Sequence, residues 1–114
     1  MRLERAAWND SAALFLRPAL GSDEEIIKNQ VNSGMAVLWL VIGCGWLVTR
    51  LDGDELVFVA GVGKNAKEVI RLFMKNKKQL NFKTCRIHSA RAGMGRYLET
   101  LGFKEVERVF QAVA

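Results

Sequence analysis

Leu56-Val57-Phe58-Val59-Ala60-Gly61-Val62-Gly63-Lys64-Asn65-Ala66 is the stretch on which the reading of this 114-residue chain turns. Leu56 to Val59 is an unbroken apolar run rich in β-branched and aromatic residues, the composition of a buried strand. Helical periodicity starts near Ala66, and a glycine-rich turn joins the two. A turn of that kind leaves unpaired backbone N–H groups at the positive end of a helix, an arrangement that holds phosphate without a metal ion. Gly61, Val62, Gly63, Lys64 and Asn65, with Lys67 in the first helical turn, are therefore candidates to bind a phosphate-bearing cofactor. A short Gly-x-Gly turn is also an ordinary way to pack a helix closely on the strand before it. Both readings stand at this point.

Downstream, Ala66, Val69, Ile70, Phe73 and Leu80 share one helical stripe, with Lys67, Arg71, Lys75 and Lys78 opposite or flanking it. The next strand, Lys83 to His88, places Cys85 and Ile87 on one face and Thr84, Arg86 and His88 on the other. Strand, helix, strand in that order predicts that Leu56–Ala60 and Lys83–His88 are parallel neighbours joined by a right-handed crossover. A last helix, Ala92 to Leu101, carries Met94, Tyr97, Leu98 and Leu101 at i, i+3, i+4, i+7 spacing and stops at Gly102. Phe103 then leads into one closing strand ending near Ala112.

Upstream, Ala36–Ile42, Trp46–Leu51 and Glu55–Ala60 read as a three-strand meander turning at Gly43-Cys44-Gly45 and at Asp52-Gly53-Asp54, the latter a strong hairpin signal. The N-terminal third reads as helical. Asn9 or Asp10 caps a short helix through Leu16 that Pro18 ends, and Ser22-x-x-Glu25 is a capping box for a second helix closed by Gly34. A first strand near Arg2–Ala7 is weakly marked. With no linkers or repeats, residues 1–114 are expected to form a single domain of mixed α/β (α+β) class.

Half of the residues are apolar and 25% charged, a globular composition. The longest apolar run, the 14 residues Met35 to Val48, is interrupted by glycines and short of the roughly 20 that a spanning helix needs, so no membrane association is expected. Met1-Arg2-Leu3-Glu4-Arg5 lacks signal-peptide character, and Cys44 and Cys85 have neither metal-ligand spacing nor a disulfide framework; both point to the cytoplasm. The net charge of +5 is unevenly spread: Lys64 to Arg96 holds ten basic residues and one acid, Glu68, while the remainder holds seven and eleven. A basic half after a glycine turn favours an anionic partner, such as a cofactor's phosphates or an acidic protein surface. Nucleic acid is not favoured, because aromatic residues do not interleave with the basic ones. For Lys75, Lys77 and Lys78, a helix C-terminal end offers the plainer explanation, since cations there oppose the dipole.

The element order, the glycine turn after the third meander strand and Leu101-Gly102-Phe103 together resemble the GNAT superfamily of acetyl-CoA-dependent N-acetyltransferases. More narrowly, Gly45-Trp46-Leu47-Val48-Thr49, Gly61-Val62-Gly63, Ile87-His88 and Arg91-Ala92-Gly93-Met94 look like small GNAT-like proteins of bacteriophages and prophages. The resemblance implies a mostly antiparallel sheet with a central parallel pair flanked by helices, and acetyl-CoA or coenzyme A as cofactor, its pyrophosphate at the turn. The sequence also departs from the family. In the family's Gln/Arg-x-x-Gly-x-Gly/Ala turn, Phe58 takes the first position when Gly61 and Gly63 take the last two. The position of its late-helix Asn falls on Arg91 and that of its Tyr on Leu98, with Tyr97 one residue, about 100°, around the helix.

Acyl transfer to an amine needs a base, donors for the oxyanion and an acid for the leaving thiolate. Leu56 to Ala60, where the family often keeps its base, contains no carboxylate. His88, the only histidine, has the chemistry of a base, with an ordinary pKa of about 6.5, although a lone histidine at a strand end is more often structural. Tyr97 has that of the acid, although its place on the apolar stripe favours a core position. Gly93 and Gly95 beside Arg91 and Arg96 form a second anion-site candidate or a close helix crossing. The resemblance thus implies an acetyl-CoA-dependent N-acyltransferase. The alternative it implies is a non-catalytic GNAT-like virion component or host-directed binding protein.

Overall fold

The computed structural model describes residues 2–61, 66–88, 104–106 and 109–113. Four antiparallel strands come first in the sheet: β1 (Leu3–Ala6), β2 (Ala36–Val41), β3 (Gly45–Asp52) and β4 (Glu55–Gly61). β5 (Thr84–His88) adds parallel to β4, and β6 (Lys104–Val106) and β7 (Val109–Val113) complete the order β1-β2-β3-β4-β5-β7-β6. The expected parallel neighbours are therefore present, inside an otherwise antiparallel sheet.

Alternation along the strands divides the core between two faces. Leu38 and Val48 pack with Ala12, Leu16 and Leu20 of α1 (Asp10–Leu20) and Ile27 of α2 (Glu24–Ser33). Their neighbours Trp39 and Leu47 point the other way, joining Leu56, Phe58 and Cys85 under Ile70 and Phe73 of α3 (Ala66–Lys75). Phe73 is fully buried, its ring edge-on to Trp39 and Phe58 at centroid distances of 5.5 and 5.3 Å. The indole N–H of Trp39 donates to Thr49 Oγ1 at 2.8 Å, which satisfies the one polar residue buried among these described side chains.

Local signals fix several boundaries. Asn9 Oδ1 accepts from Ala12 N at 2.9 Å and caps α1. Gly34 takes the left-handed conformation that closes α2. α3 stops at Asn76, whose side chain donates to Leu72 O at 2.8 Å, and the stripe resumes in a single turn, α4 (Lys77–Leu80).

Three expectations are corrected. Pro18 lies inside α1 rather than ending it: the ring removes only the bond to the Leu14 carbonyl, on a residue 68% exposed where water can replace it, and the helix stops two residues later. Ser22-x-x-Glu25 does not act as a capping box, because Gly21–Asp23 is a 3₁₀ turn running directly from α1 into α2, and Asp23 caps without a side-chain bond. The closing strand is two strands, β6 and β7, paired antiparallel from Val106↔Val109, with the polar pair Glu107-Arg108 between them. The predicted helix Ala92–Leu101 lies outside the described residues. Among the described residues, no helix is long and apolar enough to cross a membrane.

Candidate functional site

β4 and β5 run side by side from Glu55↔Thr84 to Phe58↔Ile87, and the ladder stops there. Among the described residues, Val59–Gly61 of β4 go on beside β3, with Val48↔Ala60 and Leu47↔Gly61, while His88 of β5 pairs with Val109 of β7. A bulge falls at the same level. Thr49 opposes Phe58 and Val48 opposes Ala60, which leaves Val59 as the extra residue. A bulge bends its strand and increases the local twist, here one residue past the last described rung between β4 and β5.

The crossover brings α3 to the same place. A helix that joins two parallel neighbouring strands runs back antiparallel to them, so the first turn of α3 stands at the C-terminal ends of both. Lys67 is exposed in that turn. Gly61, Lys67 and His88, expected from the sequence as site residues, are thus gathered at one end of the parallel pair. His88 sits one residue beyond the last parallel rung. Val62, Gly63, Lys64, Asn65 and Tyr97 lie outside the described residues, as do Arg91, Gly93, Gly95 and Arg96.

Gly61 has a packing explanation. A Cβ there would collide with the Leu47 side chain, its partner across β3, so glycine lets that leucine fold over the strand end. The contact is with the neighbouring strand and not with the helix that follows the turn, so it differs from the helix-on-strand packing that the sequence offered as the plainer reading.

Two features of this end had no sequence signal. The bulge at Val59 depends on which β3 residue lies opposite, a non-local fact that a run of apolar residues does not encode. On the α1 face, half-buried Trp8, Phe15 and Trp46, like Val59 and Ala60 from the end of β4, pack against the core formed with α1 and α2. At the opposite end of the pair, Arg86 Nε meets Glu55 Oε1 at 3.2 Å, tying β5 to β4 where they remain in register.

Cys85 takes no part in chemistry here. It is fully buried with its sulfur 3.4 Å from Met74 Sδ, and loss of hydration, reinforced by the Glu55 charge, pushes its pKa up to about 12. Among the described residues, no group of three or more His, Cys, Asp or Glu side chains is placed to hold a metal ion.

No protein-family profile matches the chain, and no curated protein matches it in sequence. Solved structures do match in shape. A GNAT-family acetyltransferase from Staphylococcus aureus Mu50 superposes with a TM-score of 0.64 at 14% identity, over 98% of this chain and 99% of that one. A GNAT-family acetyltransferase from Elizabethkingia anophelis, solved with acetyl-CoA bound, gives 0.65 at 15% identity over 99% and 97%. The PaiA N-acetyltransferase of Thermoplasma acidophilum, in complex with coenzyme A, gives 0.54 at 11% over the full length of both. What these proteins share with the chain at such identities is the fold, and the fold is that of the GNAT acetyltransferases.

Proposed function

We propose that this chain, built on the GNAT fold, is an acetyl-CoA-dependent N-acyltransferase that passes an acetyl group to an amine acceptor. The observation that carries the reading is the end of the described β4–β5 ladder at Phe58 and Ile87, beside the first turn of α3. The likeness to the acetyl-CoA-bound and coenzyme A-bound proteins supports the same cofactor here. The residues present fit it. Val59–Gly61, past the last described rung to β5, offers backbone donors and acceptors to a chain that itself carries amides. The start of α3, with Lys67 and the glycine turn through Gly63 and Lys64, offers amide dipole and positive charge to phosphate.

Acetyl-CoA supplies the activated acyl group, a thioester. In this reading His88 takes the proton from the attacking amine as the C–N bond forms, and Tyr97 returns a proton to the departing sulfur as the C–S bond breaks. The cytoplasmic location expected from the sequence goes with this activity. Titration calorimetry of the native chain with acetyl-CoA and with free CoA tests the reading. Saturable binding of both, with acetyl transfer to at least one member of an amine panel, supports it; no binding at about 1 mM, a free energy of only about 4 kcal/mol, overturns it.

A second reading has its own support. Gly61 is accounted for by Leu47, and the end of β4 carries no carboxylate base, both of which suit a GNAT-like protein that kept the fold without the reaction. The narrower resemblance to phage and prophage proteins belongs here, as a virion component or a host-directed binding protein. Coenzyme binding without transfer to any amine, or no coenzyme binding, favours it.

A further inference from the structure

We propose that the outward face of α3, together with α4 and the start of β5, docks an acidic polypeptide segment, at a surface separate from the cofactor mouth. Arg71, Lys75, Lys78 and Lys83 are exposed and Lys77 is half-buried. Among the described residues none of the five is in an ion pair, whereas Arg86 on the adjoining strand is held by Glu55. The ten-residue α3 is about 15 Å long and leads away from the mouth. Lys75, Lys77, Lys78 and Lys83 therefore stand at the far end of the domain. There the backbone N–H groups of Lys83 and Thr84 donate to the Asp54 carbonyl at 2.7 and 3.3 Å, bringing the β3–β4 hairpin against the α4–β5 junction. A shallow depression at this junction is lined by Asp54, Lys77, Lys78, Asn81, Phe82 and Lys83.

Cofactor phosphates at the mouth leave this charge unneutralised. Opposition to the helix dipole covers Lys75 in the last turn of α3, but not Arg71 in mid-helix or Lys83 beside the strand. Arg71 and Lys75 at i, i+4 on α3 are like-charge neighbours that weaken the helix in isolation. An anionic partner reverses that effect. Arg71 and Lys75 are separated by about 6 Å along the helix, the spacing of carboxylates at i, i+4 on a facing helix. The chemistry favours polypeptide over nucleic acid. Phe82 is only 4% exposed, so among the described residues this face offers no ring on which a base can stack. Asp54 can accept a peptide N–H, a donor that a phosphodiester backbone lacks.

The test measures fluorescence anisotropy of a labelled peptide of about 20 residues with Glu at i, i+4 spacing, titrated with the full chain between about 20 and 200 mM salt. Duplex and single-stranded DNA of equal charge are run beside it. Binding of the peptide at low salt is expected, weakening about tenfold or more across the salt range. The triple variant Lys75→Glu, Lys78→Glu, Lys83→Glu is expected to lose at least about tenfold in affinity, while Lys28→Glu on α2 stays near native. All three sites are exposed, and a thermal melt checks the fold; if the triple variant fails to fold, the single variants Lys78→Glu and Lys83→Glu carry the test, each weakening the peptide. Coenzyme titration of the same variants separates this surface from the mouth, because their affinity for CoA is expected to be unchanged. No peptide binding at low salt, equal losses in Lys28→Glu, or tighter binding of either DNA than of the peptide overturns the proposal.

Discussion

Phe58 and Ile87 form the last rung of the only parallel ladder among the described strands, and one residue further on Val59–Gly61 keep their β3 neighbours and His88 its β7 neighbour with no described rung between β4 and β5. The described ladder therefore ends at a defined level, beside the bulge at Val59. Hydrogen exchange can read it. In the free chain, the amides of Val59–Gly61 are expected to exchange faster than those of Leu56–Phe58, because no described rung joins that strand end to β5. Saturating acetyl-CoA is expected to slow Val59–Gly61 and leave Leu38–Val41, in the middle of β2, as before. Equal protection of the two β4 segments in the free chain would mean that the strand end is not open.

Gly61 and Leu47 can be separated by a double-mutant cycle. Gly61→Ala forces a methyl into the Leu47 side chain, and overpacking of that kind costs about 1–3 kcal/mol. In a Leu47→Ala background the same change is expected to cost much less, because the colliding atoms are gone. Urea unfolding of the four proteins measures the difference. An undiminished cost in the Leu47→Ala background would show that the glycine serves something other than this packing.

Cys85 gives a pH dependence of known sign. Its folded-state pKa is raised from 9.0 to about 12, so across that window the folded chain retains a proton that the unfolded chain has released. Stability contributed by the buried thiol is complete below about pH 9 and falls as pH rises, by up to ~1.4 kcal/mol per pH unit. Lysines titrate over the same range, so the comparison is with Cys85→Ala, which is expected to show a shallower alkaline decline in urea midpoints between about pH 9 and pH 11. Identical slopes in the two proteins would contradict the burial argument. The same thiol is expected to resist alkylation at about pH 8 until denaturant is added.

The strand from Leu56 and the helix through Lys75 were legible because each uses a local signal: an apolar run, and a 3.6-residue stripe. Asn9, Gly34 and Asp52-Gly53 were legible for the same reason, as caps and a turn act through adjacent backbone. Pro18 misled because its cost depends on where it falls in the helix and on whether the Leu14 carbonyl can reach water, and neither is a property of the proline. The β6–β7 hairpin was hidden in a short apolar segment that alternates as one strand would. At the candidate site, the positions of Lys67 and His88 followed from topology. The bulge at Val59, the packing of Leu47 on Gly61 and the Glu55–Arg86 pair did not, since each is a contact between segments whose register the sequence leaves unstated.

His88 separates the enzyme from its non-catalytic counterpart. Its place one residue past the last described parallel rung puts an imidazole-bearing residue at the end of the β4–β5 pair. If the imidazole removes the amine proton, His88→Gln is expected to keep the fold and the affinity for CoA while lowering acetyl transfer by about 10²-fold or more, and to abolish the pH–rate limb that its titration gives. If the side chain is structural, the same change lowers the melting temperature and leaves the transfer rate nearly untouched. Calorimetry with CoA, a thermal melt and rates over a panel of amines, measured on both proteins, divide these outcomes. Native rates in a His88→Gln protein that still binds CoA would remove His88 from the mechanism, leaving Tyr97 or a bound water to move the proton.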